Sequence, residues 1–237
     1  MKTTNFKCYA LLVGFLVSIL LTCDALSFKV ISLFGHDVAV TGILFSLSFP
    51  IAAIATEVYG YHLAVRIVWI QICSQAFFII LISLIIRISS NHDPIAALYF
   101  DLYGGLWRVL LASTTAVPIA YFINDLLMSV IKIYTKGNLF VSRILVSNII
   151  GAAVLVTISY PINYYHIFPI KHIAEIAFNT WVFKIAIATI ALPFTVIASR
   201  LLKRVEKLDY YDYGIFYNPM KAFNTDEKGK NLWKDEK

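Results

Sequence analysis

The sequence predicts an all-α integral membrane bundle of six transmembrane helices, and three observations carry that prediction. Hydrophobic residues make up 59% of the 237 and charged residues only 14%, with a mean hydropathy of +0.76, whereas about a quarter of a soluble domain is charged. The apolar residues fall in charge-poor runs near the ~20 residues that a helix needs to cross a bilayer. The basic residues behind the formal net charge of +6 stand mostly at the ends of those runs, where they read as topology signals and not as a nucleic-acid footprint. One transmembrane domain over residues 1–207 and a tail over 208–237 follow, with little room for a soluble domain.

Span 1 covers about 8–27. Lys2 and Lys7 ahead of its apolar run imitate a secretory signal, but the later spans make it an uncleaved first helix. Gly14 and Ser18, four apart, form a small-residue face for close helix packing. Span 2, 38–56, contains Pro50, which is expected to kink or break the helix about two turns before Glu57. Interrupted membrane helices often line a site, because the freed backbone groups need a partner other than lipid. Glu57 itself follows a charge-free run, where hydrocarbon offers a carboxylate no solvation.

Span 3, 67–86, lies between Arg66 and Arg87 and puts Gln71 and Gln75 on one helical face. Two amides there suit either the edge of a polar heterocycle or interhelical hydrogen bonding. Asn91-His92-Asp93-Pro94 reads as a turn. Span 4, 109–131, holds Pro118 and then Asn124 and Asp125, with apolar sequence on both sides of the pair. Span 5, 144–160, carries Asn148 and the small run Gly151-Ala152-Ala153, and the segment from Pro161 to Pro169 reads as an aromatic interfacial connection. Span 6, 176–199, carries Lys184 about 12 Å from its start, within reach of snorkelling unless an anion faces it. The last dozen residues of the Lys-rich tail read as disordered.

Six spans put both termini on one side. That side holds Lys2, Lys7, Arg66, Lys132, Lys136, Arg143, Arg200, Lys203, Arg204 and Lys207, against Lys29, Arg87, Arg108 and Lys171 on the other. The excess places both termini in the cytoplasm. Glu57, Gln71, Gln75, Asn124, Asp125 and Asn148 then fall in the cytoplasmic half, as a polar pocket or pathway requires, and Lys184 lies nearer the outer half. Cys8, Cys23 and Cys73 lack metal-ligand spacing and are odd in number, so neither a metal site nor a disulfide framework is expected. No cofactor, no nucleic acid and no catalytic signature is indicated, and no Walker A sequence occurs.

Glu57-Val58-Tyr59-Gly60, Arg66, Arg108, Lys184 with Pro193, and the tail's Asp212-Tyr213-Gly214 and Phe216-Tyr217-Asn218-Pro219 together give a chain that resembles the queuosine precursor transporter family, vitamin-uptake-like proteins of bacteria. The resemblance implies a six-helix fold similar to the substrate-binding components of energy-coupling-factor importers. It also implies inner-membrane import of a 7-deazapurine such as preQ0, preQ1 or queuine. The polar residues inside the spans, Glu57, Gln71, Gln75, Asn124, Asp125, Asn148 and Lys184, are the expected substrate contacts. The chain departs from that pattern where acidic residues are expected, at Ala53, Met128 and Gly151. Alternatives are a substrate-capture subunit that needs an energising partner, a homo-oligomer among its possible assemblies, and a non-transporting membrane assembly protein.

Overall fold

The computed structural model describes residues 6–88, 95–223 and 229–233; Asn91 to Pro94, read above as a turn, lie outside the described residues. Eight α-helices dominate: α1 (Tyr9–Ala25), α2 (Val40–Phe45), α3 (Ser48–Tyr59), α4 (Tyr61–Ile85), α5 (Ala96–Tyr103), α6 (Leu106–Tyr134), α7 (Phe140–Tyr164) and α8 (Ile170–Glu206). Five helical stretches are long and apolar enough to cross a membrane: Val40–Tyr59, Tyr61–Ile85, Ala96–Tyr134, Phe140–Tyr164 and Ile170–Glu206. This is a multi-pass membrane protein. Outward-facing Phe77, Ile80, Leu84, Phe178, Ile190 and Phe194 remain exposed, as side chains that meet lipid do. Helix α1, also apolar, has 17 residues, roughly 25 Å at 1.5 Å per residue.

The bundle has two chemically different ends. At the hairpin end, β1 (Val30–Leu33) and β2 (His36–Ala39) pair antiparallel. Their two-residue turn, Phe34-Gly35, has positive φ at both positions, the backbone twist that tight hairpins favour. This small sheet is absent from the all-α expectation, because only the turn residues mark it. At the opposite, tail end, residues after α8 fold back over the bundle, and β3 (Tyr210–Tyr211) pairs with β4 (Lys230–Asn231). The disorder expected of the last dozen residues is therefore corrected for 229–233; the rest of that dozen lies outside the described residues.

Helix limits run past the apolar runs that predicted them. Helix α4 begins at Tyr61 and α8 at Ile170, because charged and aromatic residues in the interfacial turns continue a helix that hydropathy alone truncates. Helix α7 passes through Pro161 to Tyr164, so part of the segment read as a connection is helical. The break in span 2 also moves. It lies at Ser46-Leu47, between α2 and α3, and Pro50 occupies the first turn of α3, where a missing N–H leaves no helical bond unmade. Ser46 and Ser48 hydroxyls donate to the carbonyls of Gly42 and Phe45 at the break.

Helices α6 and α7 share the most extensive contact, and Gly151 permits it: a Cβ there would stand 3.0 Å from the Phe49 ring and 3.2 Å from Cβ of Asn124. Phe49 stacks on Tyr121 at 5.0 Å, with Phe45 edge-on to both. Ala53 and Met128 meet in one buried apolar cluster with Ile144 and Leu192. Thus the three positions where the family pattern expects acids are filled by close packing. Gly151→Asp is expected to abolish stable insertion of α7 against α6, read as loss of the monodisperse detergent-solubilised protein on gel filtration.

Candidate functional site

Two buried polar regions stand at opposite ends of the bundle. The first is a cavity in the hairpin-end half, with about 80 Å³ available to the centres of water-sized molecules. Six elements build it. Asp24 comes from the last turn of α1, Gln75 from α4, Ser113 from α6, Ser159, Tyr160 and Asn163 from α7, Lys184 from α8, and Thr41, Gly42 and Phe45 from α2. The α2 segment before the interruption at Ser46-Leu47 lines this cavity. Gly42 sets the wall: a Cβ there would fall 1.9 Å from the Thr180 methyl of α8.

The polar atoms of this cavity are incompletely paired. Oδ1 of Asp24 accepts a 2.6 Å bond from Nε2 of Gln75. Oδ2 of Asp24, Oε1 of Gln75 and Oδ1 of Asn163 have no hydrogen-bond partner among the described residues. Asp24 and Gln75 are 2% and 0% exposed. The Ser113 and Ser159 hydroxyls, by contrast, donate to carbonyls of their own helices. Lys184 is 3% exposed, its ammonium lies 5.0 Å from the centre of the Phe45 ring, and no carboxylate among the described residues lies within ion-pairing distance. Because α8 begins at Ile170, Lys184 sits about 20 Å along the helix and faces the interior. The snorkelling alternative is corrected by that burial.

The second region is an ionic cluster at the tail end, centred on Glu57, which is 3% exposed. Glu57 accepts from Arg143 at 2.9 Å and from Lys203 at 2.6 Å, with Lys132 at 3.5 Å. Lys132 also donates to the Glu57 carbonyl at 2.6 Å and to Asp209 at 2.8 Å, and Lys203 meets the same Asp209 oxygen at 2.8 Å. Burial alone would raise the Asp209 carboxyl, but Lys132 and Lys203 outweigh it and hold the group below the usual carboxylate range. Asp212 of the tail accepts the Tyr61 N–H at 3.0 Å, which caps α4, and the Ser129 hydroxyl. Burial pushes the Asp212 carboxyl up despite those bonds. Gly60, at φ +83°, lets α3 turn sharply into α4 beneath Tyr210 and Asp212.

The seven residues singled out from sequence therefore do not share one pocket. Gln75 and Lys184 line the cavity, and Glu57 belongs to the ionic cluster. Asn124 donates to Asp125 at 3.3 Å, and Thr56 donates to the same carboxylate oxygen at 2.9 Å. Gln71 donates to the Leu16 carbonyl at 3.2 Å. Both polar atoms of Asn148 lack a hydrogen-bond partner among the described residues. Asp24, Tyr160 and Asn163 were missed. Asp24 carried the same signal as Glu57, a carboxylate closing a charge-free run, whereas Asn163 was hidden in a segment read as a loop.

A family model described as "putative vitamin uptake transporter" matches residues 39–198, more than half of the chain. No curated protein and no solved structure matches. The matched region runs from β2 into α8 and contains five of the six elements that wall the cavity, together with Glu57, Lys132 and Arg143 of the ionic cluster. The chain belongs to the vitamin uptake transporter family.

Proposed function

We propose that this protein imports a 7-deazapurine precursor of queuosine, or a related vitamin-like compound, across the bacterial inner membrane with six spans and both termini cytoplasmic. The observation that carries this reading is the cavity in which Asp24, Gln75 and Lys184, all buried, present unpaired polar atoms or an uncompensated charge. Intramembrane charges are costly and mark substrate pathways. A carboxylate takes ring or amino donors, and an amide reads a mixed edge.

In this reading the hairpin end faces outward and the cavity is the first binding site. The Glu57 cluster and the folded-back tail close the cytoplasmic end, and Gln71, Asn124, Asp125 and Asn148 line the way between. The surplus of basic residues at the tail end supports this orientation. A second reading is substrate capture for a separate energising complex; the 237 residues contain no Walker A motif, a composition that fits facilitated, ion-coupled and partner-driven transport alike.

Complementation tests both. In a bacterium that can neither make nor import the precursor, the chain is expected to restore queuosine in tRNA at limiting external precursor, with each precursor tried singly. Asp24→Asn and Gln75→Leu are expected to reduce uptake at equal membrane levels by about tenfold or more, the effect of losing one charge-assisted contact. Rescue that appears only with a co-expressed energising complex would select the second reading. Absence of rescue by a correctly inserted protein under both conditions would exclude both.

A further inference from the structure

The cavity holds one acidic and one basic side chain, on helices from opposite ends of the sequence, and they do not neutralise each other directly. Asp24 spends one oxygen on Gln75, and the other has no hydrogen-bond partner among the described residues. Lys184 rests over the Phe45 ring and makes no ion pair among the described residues. Among the other groups that line the cavity, Cys23, Ser113, Ser159, Tyr160 and Asn163 carry no charge in their ordinary neutral forms. In surroundings of low polarity an ion without a partner is expensive, and the cost falls only when a group of opposite sign or a strong dipole is placed against it.

From this arrangement we infer that the site selects ligands that are dipolar and net neutral, with a donor-rich or cationic edge set against Asp24 and an acceptor or anionic edge set against Lys184. The inference deepens the transport reading and rests on it. Such a ligand satisfies both side chains and leaves the filled cavity without net charge. A ligand of net positive charge can answer Asp24, but then shares a small buried space with the Lys184 ammonium. A net anion meets the converse conflict with Asp24. Phe45 and Tyr160 both line the cavity, and aromatic side chains there suit a planar ring as the body of the molecule.

The test uses the full chain in lipid nanodiscs and four probes by calorimetry. Three share the 7-deazaguanine ring and differ at one substituent: a neutral nitrile, an aminomethyl cation and a carboxylate anion. The fourth is a zwitterionic aromatic amino acid. The expected result is that the nitrile binds at least tenfold tighter than either charged ring. Asp24→Asn is expected to move the preference towards the carboxylate, and Lys184→Gln towards the aminomethyl compound, each by tenfold or more relative to the nitrile.

Equal or tighter binding of the aminomethyl or carboxylate ring by the unsubstituted chain would overturn the inference while leaving a deazapurine site in place. Binding of the zwitterion alone would retain the charge rule and overturn the deazapurine assignment. Binding of none of the four would overturn both. The probe ranking on the unsubstituted chain decides the matter even if a variant fails to insert.

Discussion

Glu57→Ala is expected to destabilise the folded protein by about 3–5 kcal/mol, because removing one member of a buried ion cluster strands the others. Arg143 is 0% exposed and Lys132 3%, and both would lose their shared carboxylate. The measurement is equilibrium unfolding in detergent micelles, with Asp125→Asn for comparison. Asp125 has no cation partner among the described residues and accepts only from Thr56 and Asn124, so its amide replacement should cost about 1–2 kcal/mol at most. The double variant Glu57→Ala with Arg143→Met should recover part of the loss, since it removes a stranded cation along with the carboxylate. Equal stabilities for the parent and Glu57→Ala would mean that the cluster is not closed in the membrane.

Truncation after Lys207 is expected to have the next largest effect, on the order of 2–4 kcal/mol, from loss of the Asp212 helix cap and the Asp209 ion pairs. It should also raise proteolytic cleavage near Gly60. Trp69 donates to the Pro219 carbonyl at 3.1 Å, so its fluorescence reports tail release once Trp107 and Trp181 are replaced by Phe in both forms and Trp233 in the full-length one; an unchanged Trp69 spectrum in the truncated protein would count against the docked tail. Asp209 adds a pH signature. Its folded-state pKa is depressed, so its contribution is fully present above the ordinary carboxylate value of about 3.9. That contribution is lost as pH falls through the still lower folded value. Asp209→Asn is expected to remove this acid-side decline.

The fold was legible where composition and period decide it, and the site only where a single residue carries its own signal. Five apolar helical stretches could be placed from charge-free runs because hydrocarbon tolerates nothing else there. Gln75 and Lys184 stood out for the same reason, as polar groups inside such runs. What the runs could not disclose is which polar residues meet. Glu57 and Asp24 look alike in sequence, each a carboxylate that closes an apolar stretch. The folded chain gives Glu57 three cations and gives Asp24 an amide with one oxygen left over. That difference depends on Arg143, Lys132 and Lys203, which no local pattern ties to residue 57. Depth estimates failed for Gln75, expected in the half that holds Glu57, because α4 starts at Tyr61 and carries it to the hairpin-end cavity beside Lys184; α8 likewise starts at Ile170, and the unseen turns moved Lys184 away from a snorkelling position.

The Glu57 cluster also bears on the order in which the molecule can be finished. Glu57 and Lys203 are 146 residues apart in sequence, and Asp209 follows α8 altogether. A ribosome that has just delivered α3 leaves Glu57 without Arg143, and one that has delivered α7 still withholds Lys203 and Asp209. Membrane insertion of the early helices therefore precedes neutralisation of their charge. The tail end can close only after Lys203 and Asp209 have been made, which sets a point in synthesis before which the Glu57 cluster stays incomplete.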